Sequence, residues 1–377
     1  MIKKSNIEKL FERAQLEFAC GDSSDTNSVL GSDRPLVLYG IGGLGTKVAK
    51  GLYDQGLCFQ LVDDTPEKIG RVLFDQEIVS LNQCVSDLDL VVVVTIFLPM
   101  VSFSDIAENI RLSLPNAEVV SFVKIFNLYP KIFLPWMLFE SPKDTLSDER
   151  RYLQLAASLN DEESLTCLYD YLELKLYGDS SLLSSCVGKS DIPFALKTGS
   201  ILVDCGAYDG DTIESYLERY DSEFSRVYAF EPDPRNSEFL ARNVSRLGYA
   251  EKVVIFSKAV GKKYESVLFS STGDMGAQIS AEGDVEVDVV PLDEVLPMGK
   301  PMYIKLDVEG NEREALSGAK NILSEGLADI AISVYHKPKD LIDLFEYMLS
   351  MNYDCFYLRP HGYSGADILL YARKTLA

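Results

Sequence analysis

Histidine and tryptophan are scarce in this sequence, which has two of the first, His336 and His361, and one of the second, Trp136, in 377 residues. Both histidines fall in the second half, so the first half offers no imidazole for hydride-transfer chemistry. Positive charge is also short. Lys and Arg number 36 against 58 Asp and Glu, a net −22 with no local basic patch. Phosphate contacts supply most nucleic-acid affinity, so DNA and RNA are excluded as expected substrates. There is no C-x-x-C pair; seven scattered cysteines read as reduced thiols of a cytoplasmic protein. No long apolar run occurs either. The longest, Leu90 to Met100, is interrupted by Thr95 and Pro99 and falls well short of the ~20 residues that span a bilayer, so it suits a buried strand and no membrane span is expected. Met1 to Cys20 interleaves charges with apolar residues, which fits an amphipathic helix and not a signal peptide.

What is present is ample core. Hydrophobic residues make up 47% and charged ones 25%, the balance of a folded globular chain, and the length predicts two domains or one with a large extension. After the loop-like stretch Gly21 to Asp33, Leu36 to Gly40 reads as a strand leading into G-x-G-x-x-G at Gly40, Gly42 and Gly45, and Thr46 to Gln55 as a helix. A strand from Cys58 to Val62 ends at Asp63 and Asp64, where a dinucleotide fold puts its ribose-binding acid. Leu88 to Phe97 reads as a buried parallel strand. Residues 35–128 are thus expected to form a Rossmann-like unit behind a helix and loop at 1–34. Two readings stay open for its glycine turn. Gly40, Gly42, Gly45 and Asp63 hold a nucleotide or nucleotide-sugar, or the turn packs helix against strand. Residues 129–195 are expected to connect this unit to the next. The aromatic run Phe122 to Phe139 reads as connector packing, the alternative being a substrate platform; polar Ser141 to Arg151 follows, and apolar residues return at helical spacing from Tyr152 to Tyr177, with Asp161-Glu-Glu163 as a charged helix start and an end near Gly178.

A second glycine turn organises residues 196–377. Ile201 to Asp204 is an apolar strand; Asp204, Gly206 and Gly210 follow one another at D-x-G-x-x-x-G spacing, and Thr212 is placed to cap a helix from Ile213 to Tyr220. An acid at that point would repel a pyrophosphate. It suits S-adenosylmethionine, which carries an ammonium and a sulfonium. The second strand, Arg226 to Glu231, ends in a carboxylate that can accept two ribose hydroxyls. Pro232 and Pro234 stop it, and Asn236 to Leu247 is helical. After strand Val253 to Phe256, Ala259 and Val260 are small enough to lie beside an adenine. Val285, Val287 and Val289 alternate with acids in an extended segment. Met302 to Asp307 is a fourth strand, Asn311 to Leu323 a helix, and Ile330 to Tyr335 a fifth strand reaching His336. Asp340 to Leu349 is helical, and Asp354 to Leu358 with Asp367 to Ala372 close the order. The fold class expected is α/β with two Rossmann-like units. The second would be a class I methyltransferase fold with a mixed seven-stranded sheet and helices on both faces.

Val203 to Asp211, Phe230-Glu-Pro-Asp233, Ile304-Lys-Leu-Asp-Val-Glu-Gly-Asn-Glu312 and His336-Lys-Pro-Lys-Asp-Leu341 resemble, over roughly residues 195–373, the FkbM family of S-adenosylmethionine-dependent methyltransferases. The resemblance implies O-methylation of a hydroxyl on a sugar, glycan or related small acceptor. The donor would lie against Asp204, Cys205, Gly206, Ala207, Gly210, Thr212, Glu231, Pro232, Ala259, Val260 and Asp307. His336 is the first choice for general base because an ordinary imidazole titrates near neutrality; Glu309 is second, and Asp307 is expected at the methionine end of the donor. A divalent ion on Asp307, Glu309 and His336 is the other route to an acidified alcohol. No metal is expected there, since acids at i and i+2 arise simply by flanking a turn. The Asn/Asp-Pro-Pro-aromatic signature of adenine methylation is absent, with Asp307-Val-Glu-Gly310 in its place. Two rivals remain: an NAD-dependent sugar-nucleotide oxidoreductase using the first unit, and a non-catalytic protein that binds the donor or its product.

Overall fold

The computed structural model describes residues 2–19, 34–84, 89–181, 192–220, 223–270, 278–279, 285–363 and 365–375. The chain divides into two compact units, the first of Met1–Ala157, Asp161–Ser190 and Arg359–Ile368, the second of Ser158–Asn160, Asp191–Leu358 and Leu369–Ala377. Among the described residues no helix is long and apolar enough to cross a membrane.

The first unit is built on six strands, β1 (Leu36–Tyr39), β2 (Gln60–Val62), β3 (Val72–Leu73), β4 (Gln76–Val79), β5 (Val91–Val94) and β6 (Glu118–Ser121), in the order β3-β4-β2-β1-β5-β6. All pairings are parallel except β3 with β4. β5 is four valines, each buried, as a parallel strand covered on both faces requires. It is shorter than the apolar run predicts; Leu88 and the Gly21 to Asp33 loop lie outside the described residues. Ahead of the sheet, the helix Lys4–Ala19 buries Ile7, Leu10, Phe11 and Ala14, the i, i+3, i+4, i+7 stripe of an amphipathic segment. The rings of Phe97, Phe122, Phe126, Trp136 and Phe139 meet edge to face at 5.4–5.8 Å between centroids. The helix Glu162–Tyr177 starts where expected, with the Asp161 carboxylate accepting the Ser164 N–H, and ends at left-handed Gly178. Inside the first unit the Lys175 ammonium is fully buried 2.9 Å from Glu140.

The second unit holds β7 (Ser200–Cys205), β8 (Phe224–Phe230) and β9 (Val253–Phe256). A small sheet follows, made of β10 (Ala259–Val260), β11 (Glu265–Ser270), β12 (Gln278–Ile279) and β13 (Val285–Val290), and then β14 (Met302–Leu306), β15 (Ala328–Ser333), β16 (Cys355–Pro360) and β17 (Ile368–Arg373). The main sheet is seven-stranded, ordered β16-β17-β15-β14-β7-β8-β9, with β17 antiparallel to β15. This is the mixed sheet that the strand and helix alternation predicts. β7 pairs with β8 on one side and β14 on the other, so the order reverses there, and the carboxyl ends of β7 and β14 form the crevice where such sheets bind ligands. One predicted helix is two. Residues 311–323 break into Glu312–Ser317 and Lys320–Glu325, because Gly318 packs so closely on Gly261 that a Cβ there would lie 2.0 Å from its carbonyl oxygen.

Candidate active site

β7 carries Asp204 and Cys205 to the centre of the sheet and turns at Gly206, whose φ is +83°. A Cβ on Gly206 would lie 1.8 Å from the Asp307 carbonyl oxygen, so the ends of β7 and β14 can touch only through glycine. The Asp307 N–H locks the contact by donating to Cys205 O at 3.0 Å. Gly206 and Ala207 both donate their N–H to Phe230 O, at 2.9 and 3.0 Å, and Gly210, at φ +93°, donates to Ala207 O. Tyr208 donates its N–H to Glu231 Oε2 at 2.8 Å. These four amides are committed to the protein, so a ligand at the turn meets side chains. Thr212 corrects one expectation: the helix starts at Asp211, and Thr212 lies inside its first turn, with its own N–H donating to Asp211 Oδ1.

Asp204 is completely buried, and neither carboxylate oxygen has a hydrogen-bond partner. Burial pushes its pKa up to about 7, with the Lys305 ammonium pulling the other way. An orphaned buried carboxyl is costly, and a cationic ligand group beside it would remove that cost. Glu231 is 5% exposed. Its Oε1 accepts the Asp233 N–H, and burial raises its pKa to about 7 against the two amides that favour its charge. Asn236 adds a side-chain hydrogen bond to this carboxylate, which still leaves it acceptor capacity for a ribose hydroxyl. Beside it, Pro232, Pro234, Ser257, Ser266, Glu286, Val287 and Asp288 line a cavity of about 430 Å³. Ala259 and Val260 are not in that lining; they are buried in β10, paired with Val289 and Val290.

Beyond β14 and β15 the predicted catalytic group does come together. Asp307 Oδ2 lies 3.3 Å from Lys305 Nζ, and Oδ1 accepts from Tyr335 Oη at 3.3 Å. His336 Nε2 is 3.5 Å from Asp307 Oδ1 and 3.6 Å from Glu309 Oε2, and Nδ1 is 2.9 Å from Glu312 Oε1. None of these approaches to the ring is aligned as a hydrogen bond, so they are ionic contacts. Glu309 and Gly310 both take left-handed backbone, at φ +52° and +87°, which turns the chain back over the site. Burial favours an unprotonated Asp307 less, yet Lys305 and His336 overcome it and hold the carboxyl below its ordinary range. His336 does not sit in the environment of an ordinary imidazole. Burial alone would lower its pKa, but Glu312, Asp307 and Glu309 together raise it to about 9. The three carboxylates thus hold the ligand-free imidazole toward its charged form. Glu312 was not foreseen, although its place three residues past Glu309 in the Asp307-Val-Glu-Gly-Asn-Glu run was the available signal.

Residues 204–355 match the FkbM methyltransferase domain. A hexuronic acid methyltransferase, AglP of Haloferax volcanii, is 30% identical over 135 residues, covering 32% of this chain and 52% of that protein. The chain thus spans about half the length of that relative. A crystal structure of a methyltransferase FkbM from Methylobacillus flagellatus KT superposes with a TM-score of 0.76 at 22% identity, over 98% of this chain and 100% of that one, a likeness of fold across both units.

The Gly40 turn lies outside residues 204–355, the stretch that matches the FkbM domain. A Cβ on Gly45 would lie 2.1 Å from Gly40 O, and one on Gly40 2.4 Å from Ile96 Cγ1, whereas Gly42 faces open space. Two of the three glycines thus have packing duties. Asp63 is 5% exposed; its Oδ2 accepts from the Ile41 N–H at 2.6 Å and Lys68 Nζ at 2.8 Å, and its Oδ1 from the Thr65 N–H at 2.9 Å. Asp64 accepts from Tyr39 Oη and the Leu81 N–H. Asp63 braces the turn through Ile41, and Asp64 ties β1 to the chain after β4, uses that the packing reading explains without a nucleotide.

Proposed function

We propose that this protein transfers a methyl group from S-adenosylmethionine to a hydroxyl of a sugar, glycan or related small acceptor. The observation that carries the reading is Asp204, a fully buried carboxyl with no partner at the switch point of the sheet. The donor's ammonium would supply the missing charge. Glu231 would take the ribose hydroxyls, with the adenine toward the cavity at Pro232 and Ser257. Gly206, Gly210 and Asp307 hold the strand ends so that these groups converge. Asp307, Glu309 and His336, gathered around the ends of β14 and β15, would line up the acceptor oxygen behind the methyl group; such alignment is itself a large part of the rate. The similarity to a hexuronic acid methyltransferase supports a carbohydrate acceptor. The oxidoreductase reading has less support, since Asp63 already serves three donors within its own turn.

The test is transfer from methyl-labelled donor to a panel of nucleotide-sugars and glycans that includes uronic acids. Label should appear in a base-stable ether of at least one sugar. Labelled products confined to protein or nucleic acid would reject the acceptor class.

A further inference from the structure

The amino-acid head of S-adenosylmethionine is a zwitterion, so a site that holds it needs a base as well as an acid. Asp204 answers to the ammonium. The α-carboxylate needs a partner of its own, and the glycine turn does not supply one. The N–H groups of Gly206, Ala207, Tyr208 and Gly210 already donate to Phe230 O, Glu231 Oε2 and Ala207 O. A carboxylate taken out of water beside them therefore requires a side-chain cation. Lys305 stands in the right place. It is the residue paired with Asp204 in the β14–β7 register, so the two side chains leave the same face of the sheet from strands about 4.8 Å apart. Lys305 is 8% exposed, which is rare for a lysine, and its Nζ lies 3.3 Å from Asp307 Oδ2. Of the charges that act on Asp204, Lys305 is the cation, and Asp211 and Asp307 are the acids. Lys305 reaches Asp307, however, and leaves both oxygens of Asp204 without a hydrogen bond. A zwitterion fits this pair. Its ammonium is the partner that Asp204 lacks, and its carboxylate is a further acceptor for an ammonium that has three N–H donors.

We propose that Lys305 binds the α-carboxylate of the donor's methionine moiety while Asp204 binds its ammonium, so that two residues in register on β7 and β14 read the amino-acid head from both ends. The assignment rests on the methyltransferase reading and makes the site selective among sulfur nucleosides. It takes those with an intact α-amino acid over a decarboxylated form, which keeps only the ammonium. Asp307 holds Lys305 at the donor turn, where Gly206 packs on the Asp307 carbonyl.

The experiment is calorimetry of the full-length protein at pH 8, comparing S-adenosylhomocysteine with its decarboxylated analogue, which ends in an aminopropyl group, for the parent and for Lys305→Met. The parent should prefer S-adenosylhomocysteine by at least about tenfold, the worth of one charge-assisted hydrogen bond, and the variant should bind the two alike. Both ligands carry the ammonium, so losses at Asp204 or Asp307 cancel in the ratio. If Lys305→Met fails to fold because Asp307 has lost its cation, the Lys305→Met, Asp307→Asn double variant, which removes the ion pair whole, carries the same comparison. Equal affinities in the parent overturn the proposal, as does a variant that keeps the full preference. A parent that binds both ligands equally well loses the role of Lys305 and keeps the donor site; one that binds neither loses the donor site as well.

Discussion

Replacing Asp204 by Asn should make the ligand-free protein more stable while abolishing donor binding. Asn has the shape and polarity of the protonated acid, so the cost of burying an unpartnered neutral group cancels between the two. What remains is the cost of ionising Asp204. Its pKa stands at about 7 in the fold and about 3.9 in an unfolded chain, a difference of roughly 3 units or about 4 kcal/mol. The sign follows from proton uptake. Between those two values the folded state holds more protons than the unfolded one, so the stability lent by a neutral Asp204 is complete below about pH 4 and lost as pH rises to 7. The Asn variant should therefore gain up to about 4 kcal/mol at pH 8 and less than half of that at pH 5. Urea unfolding of both proteins at the two pH values measures this, and calorimetry with S-adenosylhomocysteine measures the other half. An Asn variant that is less stable at pH 8, or whose effect is the same at both pH values, would refute the reasoning about burial. Unchanged donor affinity would refute the assigned role.

Three further outcomes follow from the same geometry. S-adenosylhomocysteine should bind about ten- to a hundredfold more weakly at pH 6 than at pH 8, because Asp204 and Glu231 both reach pKa values of about 7 and each proton taken up below that point removes a charge the ligand needs; a flat affinity across that range contradicts it. Gly206→Ala meets the Asp307 carbonyl head-on from a left-handed backbone and should cost roughly 3 kcal/mol or more, read as a fall in the urea midpoint with loss of donor binding. In the first unit, Lys175→Ala leaves Glu140 buried without its cation and should cost about 3–5 kcal/mol; a Lys175→Met, Glu140→Gln double variant that lost as much would show that the pair is not the cause.

The second unit was the more legible part of the chain because its strands are apolar runs that end in acids. Burial on both faces fixes the run, and the edge of the sheet fixes where polarity can begin, so β7, β8 and β14 could be placed to within one or two residues from composition. Asp204, Glu231 and Asp307 came with them. Thr212 and the 311–323 helix were misread for local reasons. Asp211 starts its helix one residue before the better capping side chain, and Gly318 interrupts a helical pattern because of a contact with Gly261, 57 positions away in sequence. Such contacts leave no periodic trace. The state of His336 was illegible for a similar reason: its pKa depends on three carboxylates brought around the ring by the left-handed turn at Glu309 and Gly310. In the first unit the G-x-G-x-x-G spacing was visible, but not that Asp63 would spend its oxygens on Ile41, Thr65 and Lys68.

The central claim is that the turn at Gly206 holds a methyl donor. Calorimetric titration of the full-length protein at pH 8 with S-adenosylhomocysteine, and separately with NAD, tests it directly. One equivalent of S-adenosylhomocysteine should bind, the Asp204→Ala variant should not bind it, and NAD should give no heat. Saturable NAD binding with S-adenosylhomocysteine silent at millimolar concentration would contradict the account.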